Sequence, residues 1–395
     1  MHKSFIILAV AQFFVQLAHA LFEVSLIWLA LDMTGSRFST GVLMFTAYLP
    51  FFLFSIPAGL FADSKDRRQI IRWSVTSRIL IALLIPLFAC GNMLSFLVLA
   101  GSAFFFTSLE AFFLPARDAL IPEYVSGANL LRGNSIIQGS MQLAFIIGPA
   151  IAGFLIDWLG NLQTFLMVSA LFVAASILVW QLKPGQRDPE NPLITIDKKA
   201  VAELFTHIKT DKRLAWLIGI TMIDNLFIMG PAIIGVAIFV KEDLGGPAVH
   251  YALSESFLAG GMILTSLLLI LFGKKLPMGK LLIIGIFMDG LTYVPVRWIE
   301  QIEMLWVTIF LHALFIPFIT VSRTTIVQKI VPRQLQGRVF AIISLSVVGF
   351  TAFSMALTGW IAELIPVRDI FFYIGIGGAI SGLIATLYGP LRILK

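Results

Sequence analysis

The sequence predicts an all-α membrane protein with twelve transmembrane helices in two pseudo-symmetric six-helix bundles. Three observations predict it. Twelve apolar runs are each long enough to cross about 30 Å of hydrocarbon at about 1.5 Å per residue. Of the 395 residues 58% are hydrophobic and 13% charged, against about 25% charged in a soluble domain, so the chain lacks the polar surface to cover itself in water. A set of polar residues in the first half also recurs at a fixed offset in the second.

The runs fall near 5–31, 40–62, 70–90, 94–116, 134–157, 162–182, 214–240, 248–272, 280–299, 304–326, 339–363 and 369–391. Each is expected to be a helix, because lipid offers no partner to an open strand edge. Pro50, Pro57, Pro149, Pro231, Pro295 and Pro317 lie inside runs. Neighbouring helices tolerate proline in a bundle, and no run is interrupted enough to predict a broken helix.

Lys and Arg set the orientation. Arg37, Lys241, Arg297 and Arg368 fall on one side and Arg78 lies within the third run, while all the others of the 28 fall on the side of Lys3. Cytoplasmic loops carry the basic excess, so both termini are expected to be cytoplasmic. These bases sit in short loops between apolar runs, a pattern of membrane topology and not of nucleic-acid binding. The first run, about 27 residues with no small-residue cleavage site, is expected to be a span and not a signal peptide. Cys90 is the only cysteine, which excludes an intramolecular disulfide framework and a Cys-rich metal cluster.

Residues 183–213 form the one long polar connection. The expected domains are 1–183, a linker 184–213 and 214–395. The segment "DKKAVAELFTHI" within the linker has an Asp cap and apolar residues at helical spacing, the pattern of a helix lying on the membrane surface. Shifted by 206, Arg117 and Arg132 map onto Arg323 and Arg338, Gly153 onto Gly359 and Asp157 onto Glu363. Four matches in one register indicate a duplicated six-helix unit, and two like halves predict alternating access about a midplane site.

Between the second and third runs stands "GLFADSKDRR". It resembles the signature loop of the major facilitator superfamily, Gly-x-x-x-Asp-Arg-x-Gly-Arg-Arg, through Gly59, Asp63, Arg67 and Arg68, with Ser64 and Asp66 departing from it. An Asp at that second place is similar to the third drug:proton antiporter branch, which includes macrolide and siderophore exporters. The resemblance implies a cytoplasmic latch, with Arg117 also in it. In physical terms Gly59 is expected to permit close helix approach and Asp63 to accept from a helix N-terminus or an Arg. "LFGKKLPMGK", the second-half equivalent, lacks the acid. "GPAIAG" resembles the antiporter motif through Gly148, Pro149 and Gly153, which in the family marks exporters; small residues around a Pro kink also pack helices in any membrane bundle. The fourth run lacks the mid-helix Arg of the best-known multidrug branches.

Gln12, Gln16, His19 and Glu23 step by four, three and four, which places them on one stripe of the first helix. Ser135, Gln138 and Gln142 form a shorter stripe on the fifth. Such stripes face protein or water, since a charge at the bilayer centre costs about 2.5–3.5 kcal/mol on the lenient scale. In the family the first, fourth, seventh and tenth helices line the cavity. His19, Glu23, Glu110, Asp224, Asn225 and His312 fall on these four. Arg78 is expected to pair with a carboxylate of its own half. Asp289, on a helix expected to be peripheral, reads equally as a structural hydrogen bond, and Glu255 as a hydrated outer-end residue. Phe13, Phe112, Phe113, Phe227 and Met229 are candidates for an adaptable apolar wall.

A carboxyl in low-dielectric surroundings favours its neutral form, and a cationic substrate favours the ionised one, which is the minimal linkage of antiport. The expectation is proton-coupled export of hydrophobic or amphiphilic small molecules from a bacterial-type cytoplasmic membrane. Glu23, Asp224 and Glu110 would share the coupling, with His19 tuning Glu23 one turn away. No metal or organic cofactor is expected, the proton gradient being the energy source, and monomer is the default. The alternatives are a lipid or lysophospholipid flippase and a divalent-metal exporter using His19, Glu23, Asp224 and His312 as ligands. A receptor or scaffold is a further class. An enzyme is not expected, because the chain has no HExxH, nucleophile elbow or phosphate-binding glycine loop.

Overall fold

The computed structural model describes residues 3–125, 129–185, 206, 208–272 and 276–387. Among them the regular elements are helices, and twelve are long and apolar enough to cross a membrane. The first six are α1 (Lys3–Thr34), α2 (Arg37–Ser64), α3 (Arg67–Cys90), α4 (Phe96–Tyr124), α5 (Leu130–Leu159) and α6 (Asn161–Trp180). The second six are α7 (Lys212–Asp243), α8 (Ala248–Phe272), α9 (Met278–Trp298), α10 (Ile302–Ile330), α11 (Arg333–Leu364) and α12 (Val367–Leu387). The protein is therefore a multi-pass membrane protein of the expected fold class. The surface helix expected in the linker, apart from residues 206 and 208, lies outside the described residues.

Local chemistry starts several of these helices. The Asp66 carboxylate accepts from the Arg68 backbone N–H, Ser95 Oγ from that of Val98, and Asp211 from that of Arg213. Each satisfies one of the donors that a first helical turn leaves without a partner. α4 runs on to Tyr124, two turns past the end read from hydropathy, through polar sequence in which Arg117 and Asp118 bond to each other.

Three spans of the second half are irregular, contrary to the expectation of unbroken helices. α7 widens into π-helical turns at Pro231–Gly235 and Phe239–Asp243. α9 is α-helical to Leu291 and then tightens into a 3₁₀ turn, Val294–Trp298, around Pro295. α10 comprises Ile302–Ala313 and Ile316–Ile330, joined at Leu314 and Phe315 just before Pro317. Proline brings no N–H, so the carbonyl one turn earlier loses its partner and the ladder re-forms with a different step.

Contacts divide the chain into two compact units, Met1–Gly35 with Thr46–Thr195, and Ser36–Phe45 with Ile196–Lys395. In the first, α1 packs on α5 and α6, and α3 on α4 and α6. A Cβ on Gly148 would lie 2.6 Å from Ala20 Cβ, so the α1–α5 approach requires glycine there. Gly59 does not act this way: a Cβ on it would meet no atom of the described residues within 4 Å. In the second unit α7 packs on α11, α8 on α10, and α9 on α10 and α12. Gly290 of α9 sits against α12 so closely that a Cβ would lie 2.3 Å from the Ala379 nitrogen. Lipid tails are as apolar as leucine, so such small-residue contacts and buried polar bonds, rather than hydrophobic expulsion, hold the helices together.

The repeat is visible in the element bounds. Phe96–Tyr124 advanced by 206 gives 302–330, the bounds of α10, and Lys3–Thr34 advanced by 209 gives 212–243, those of α7. Advanced by 211, the first residue of α3 lands on that of α9.

Candidate functional site

Each unit buries a polar cluster. In the first, Arg78 of α3 is fully buried and its Nη1 donates to Oε2 of Glu110 on α4, itself 2% exposed. Arg78 Nε donates to the Ser74 carbonyl at 3.2 Å. The guanidinium also lies 5.6, 5.3 and 5.0 Å from the ring centroids of Phe106, Phe113 and Phe172. Arginine stays protonated, so this is a permanent ion pair in an aromatic cage. The pairing of Arg78 with an acid of its own half is as expected. Phe113, by contrast, packs on Arg78 and is not part of an open wall.

His19 and Glu23 do not form the pair expected of them. His19 Nδ1 faces Glu110 Oε2 at 3.9 Å, without a hydrogen bond, and its ring stacks on Phe106. Glu23 Oε1 accepts from the Tyr48 hydroxyl of α2 at 2.8 Å. Gln12 Nε2 donates to Gln16 Oε1 at 3.4 Å, so the stripe is one line along α1 with separate partners. Gln12 is buried, while Gln16, His19 and Glu23 are half-buried. On α5 Ser135, Gln138 and Gln142 are exposed.

The second cluster is built by α7, α9 and α10. Asp224 and Asn225 are buried; Asn225 Nδ2 donates to the Thr221 carbonyl at 2.8 Å, whereas Asp224 Oδ1 has no hydrogen-bond partner among the described residues. His312, 1% exposed, places Nε2 3.5 Å from Asp289 Oδ1 and Nδ1 3.0 Å from Thr292 Oγ1. The Tyr293 ring packs on that of His312 at 4.2 Å, and its buried hydroxyl has no hydrogen-bond partner among the described residues. Asp289, on a helix read as peripheral, was weighed equally as structural, and Tyr293, in the turn just before the 3₁₀ segment, was not read as a site residue. Their shared signal was a pair of polar side chains four residues apart in an apolar run. Among the described residues no three His, Cys, Asp or Glu side chains converge as a metal-binding group.

The signature loop is built around a residue that departs from the motif. Asp66 caps α3 and accepts from Arg68 Nε at 3.1 Å and Nη2 at 2.8 Å. Partial burial raises the Asp66 carboxyl, but the side-chain and backbone bonds from Arg68 outweigh it and leave it below the usual carboxylate value. Arg67 reaches the Ala62 and Ala119 carbonyls and Glu123 at 2.7 Å, tying the loop to α4. The side chain of Asp63 lies outside the described residues. Arg117 is buried and bonds Asp118 and the Met141 sulfur, all within the first unit. Gly148, Pro149 and Gly153 are buried along α5.

At the opposite ends of the second unit's helices, three of the four bases read as facing away from the basic loops meet acids. Arg37 pairs with Glu242 at 2.5 Å, Arg368 with Asp243 at 2.7 Å and Arg297 with Asp369 at 3.2 Å. Glu363 accepts from Ser36 Oγ at 2.8 Å and the Phe38 N–H at 3.0 Å.

A family model of the major facilitator superfamily described as "Transmembrane secretion effector" matches residues 1–392. Macrolide efflux protein A of Streptococcus pyogenes is 22% identical over 339 residues, covering 82% of this chain and 80% of that protein. Multidrug efflux pump Tap of Mycolicibacterium fortuitum is 27% identical over 180 residues, 42% of each chain. Among solved structures, a POT family transporter in complex with 5-aminolevulinic acid superimposes with a TM-score of 0.82 at 15% identity, over 100% of this chain and 97% of that one. The nucleoside transporter NupG gives 0.80 at 13% identity, over 98% of each chain. These two likenesses show the fold. Twelve spans, a match along the whole chain and efflux proteins as relatives lead to one conclusion: the chain belongs to the Transmembrane secretion effector family of the major facilitator superfamily and is a transporter, not an enzyme.

Proposed function

We propose that the protein exports hydrophobic or amphiphilic small molecules by alternating access, driven by the proton gradient across a bacterial-type cytoplasmic membrane, with both termini cytoplasmic. The substrate class draws on the relatives, a macrolide exporter and a multidrug pump. The orientation draws on charge, since the bases of the far face meet Glu242, Asp243 and Asp369, which concentrates net positive charge on the face of the termini.

The observation that carries proton coupling is Asp224, a membrane-buried carboxyl with one oxygen that no described residue satisfies. Burying a carboxylate with an oxygen that lacks a hydrogen bond costs free energy, which Arg323 of α10 offsets only by charge, and a proton or a bound cation relieves it. Exchange of those two occupants is antiport. Glu23, half-buried and held by Tyr48, is the acid we assign to the exchange in the first unit. Glu110 is committed to Arg78 and takes no part in the exchange. Nothing specific in the geometry favours a flippase or a metal exporter.

The test is transport of a radiolabelled macrolide into inverted proteoliposomes under an imposed pH gradient. Wild type should accumulate it only with the gradient, and Glu23→Gln and Asp224→Asn should each lose most of that accumulation. Full gradient-driven transport by both variants would sink the assignment.

A further inference from the structure

We infer that Asp289 and His312 form an exchangeable proton site at the α9–α10 seam, and that the buried Arg78–Glu110 pair at the α3–α4 seam is its fixed counterpart. This rests on the proton-coupled reading and names where in the second unit the proton sits.

The repeat supplies the first line of argument. The 211-residue step that carries the start of α3 onto the start of α9 also carries Arg78 onto Asp289. In both units this position pairs with a group on the following span, Glu110 in one and His312 in the other. All four side chains are at most 3% exposed. The order of charge is reversed: base then acid in the first unit, acid then base in the second. Arginine cannot release its proton, so the first pair has one state. An Asp–His pair has at least two.

Hydrogen bonding at His312 supplies the second. The Thr292 hydroxyl donates its single proton to the Met288 carbonyl at 2.7 Å, and the Asp289 carbonyl at 3.2 Å competes for that same proton. While its proton is held there, the hydroxyl oxygen, 3.0 Å from His312 Nδ1, favours the tautomer with the hydrogen on Nδ1. Nε2 is then the acceptor nitrogen of a neutral ring, yet it faces a carboxyl oxygen at 3.5 Å. Two lone pairs in apolar surroundings repel. One proton therefore belongs between them, on Nε2 or on Oδ1, and losing it leaves a buried carboxylate facing a neutral imidazole.

The charged and titratable neighbours are few. From α7 Asp224 acts on Asp289, from α8 Glu255 acts on Tyr293, and from within α10 Arg323 acts on Asp224. Tyr293 covers the His312 ring, and α12 contributes Phe371 at 5.3 Å from Tyr293. Asp224 is thus the acid next to the proton, and a cation bound there would favour the proton's departure.

Selective ¹⁵N-histidine labelling of the full chain in detergent micelles reads the site directly, with the His312 signal assigned by its loss in His312→Gln. Between about pH 4 and 9 the His312 resonance should titrate. Asp289→Asn should displace its midpoint by at least about one pH unit, and Thr292→Val, which leaves both titrating groups in place, should displace it less. A His312 signal that does not titrate, or that titrates identically in wild type and Asp289→Asn, overturns the inference. The transport reading fails separately, if wild-type accumulation ignores the pH gradient while the titration is as expected.

Discussion

The Tyr48 hydroxyl of α2 donates to Glu23 Oε1 at 2.8 Å, so the acid of the first span is held from a neighbouring helix and not from His19 on its own. A hydrogen bond to a charged group contributes about 1.5–3 kcal/mol. Tyr48→Phe should therefore lower gradient-driven transport by roughly tenfold while leaving the fold intact. Measuring transport rate against pH in proteoliposomes checks this, and a profile identical to wild type would remove Tyr48 from the mechanism.

Arg78 and Glu110 need each other. Removing one partner of a buried pair leaves an uncompensated charge and costs about 3–5 kcal/mol, whereas replacing both by apolar residues is often neutral. Arg78→Leu should lower the melting temperature in detergent sharply, and Arg78→Leu with Glu110→Leu should recover most of the loss. Equal melting of the single and double variants would contradict the ion pair.

Asp66 lies outside the spans and its stabilising bonds belong to the ionised form. Its folded value is depressed, so the stabilisation is fully present above the unfolded carboxylate value near pH 4 and is lost as pH falls through the folded value. Asp66→Ala should cost about 1 kcal/mol at neutral pH, the worth of a helix cap. The gap to wild type should close on acidification, as thermal melts at a series of pH values would record.

Two glycines should respond in opposite ways. A Cβ on Gly290 would enter the α12 backbone, so Gly290→Ala should cost about 1–3 kcal/mol as α9 is forced away. At Gly59 no atom of the described residues would lie within 4 Å of a Cβ, and Gly59→Ala should melt within about 0.5 kcal/mol of wild type. Paired melting curves decide it, and similar curves for both would contradict the packing.

The twelve spans were legible because crossing a bilayer demands length and apolarity, which are properties of contiguous sequence. The α1 stripe was legible for the same reason, since helical spacing puts Gln12, Gln16, His19 and Glu23 in line. Partners were not. Arg78 meets Glu110 from 32 positions away and His312 meets Asp289 from 23, and which residues face each other depends on the rotation of packed helices. Asp289 looked peripheral because the seam that buries it is a relation between α9 and α10. At Gly59 the expected close approach is not met, and the capping role of Asp66 was not read, because contact and capping depend on geometry that identity at a position does not carry.

The π turns of α7 change how that helix is to be read along its length. An α-helix advances about 100° per residue, and a wide turn accommodates one extra residue before the ladder resumes. Beyond Gly235 every side chain is thus displaced around the axis from where a regular wheel through Asp224 would put it, and beyond Phe239 displaced again. Asp243, which meets Arg368 at 2.7 Å, owes its bearing to these two added steps. Deleting a single residue within Pro231–Gly235 would swing the whole outer end of α7, so that this span keeps its bearings by residue count as much as by residue type.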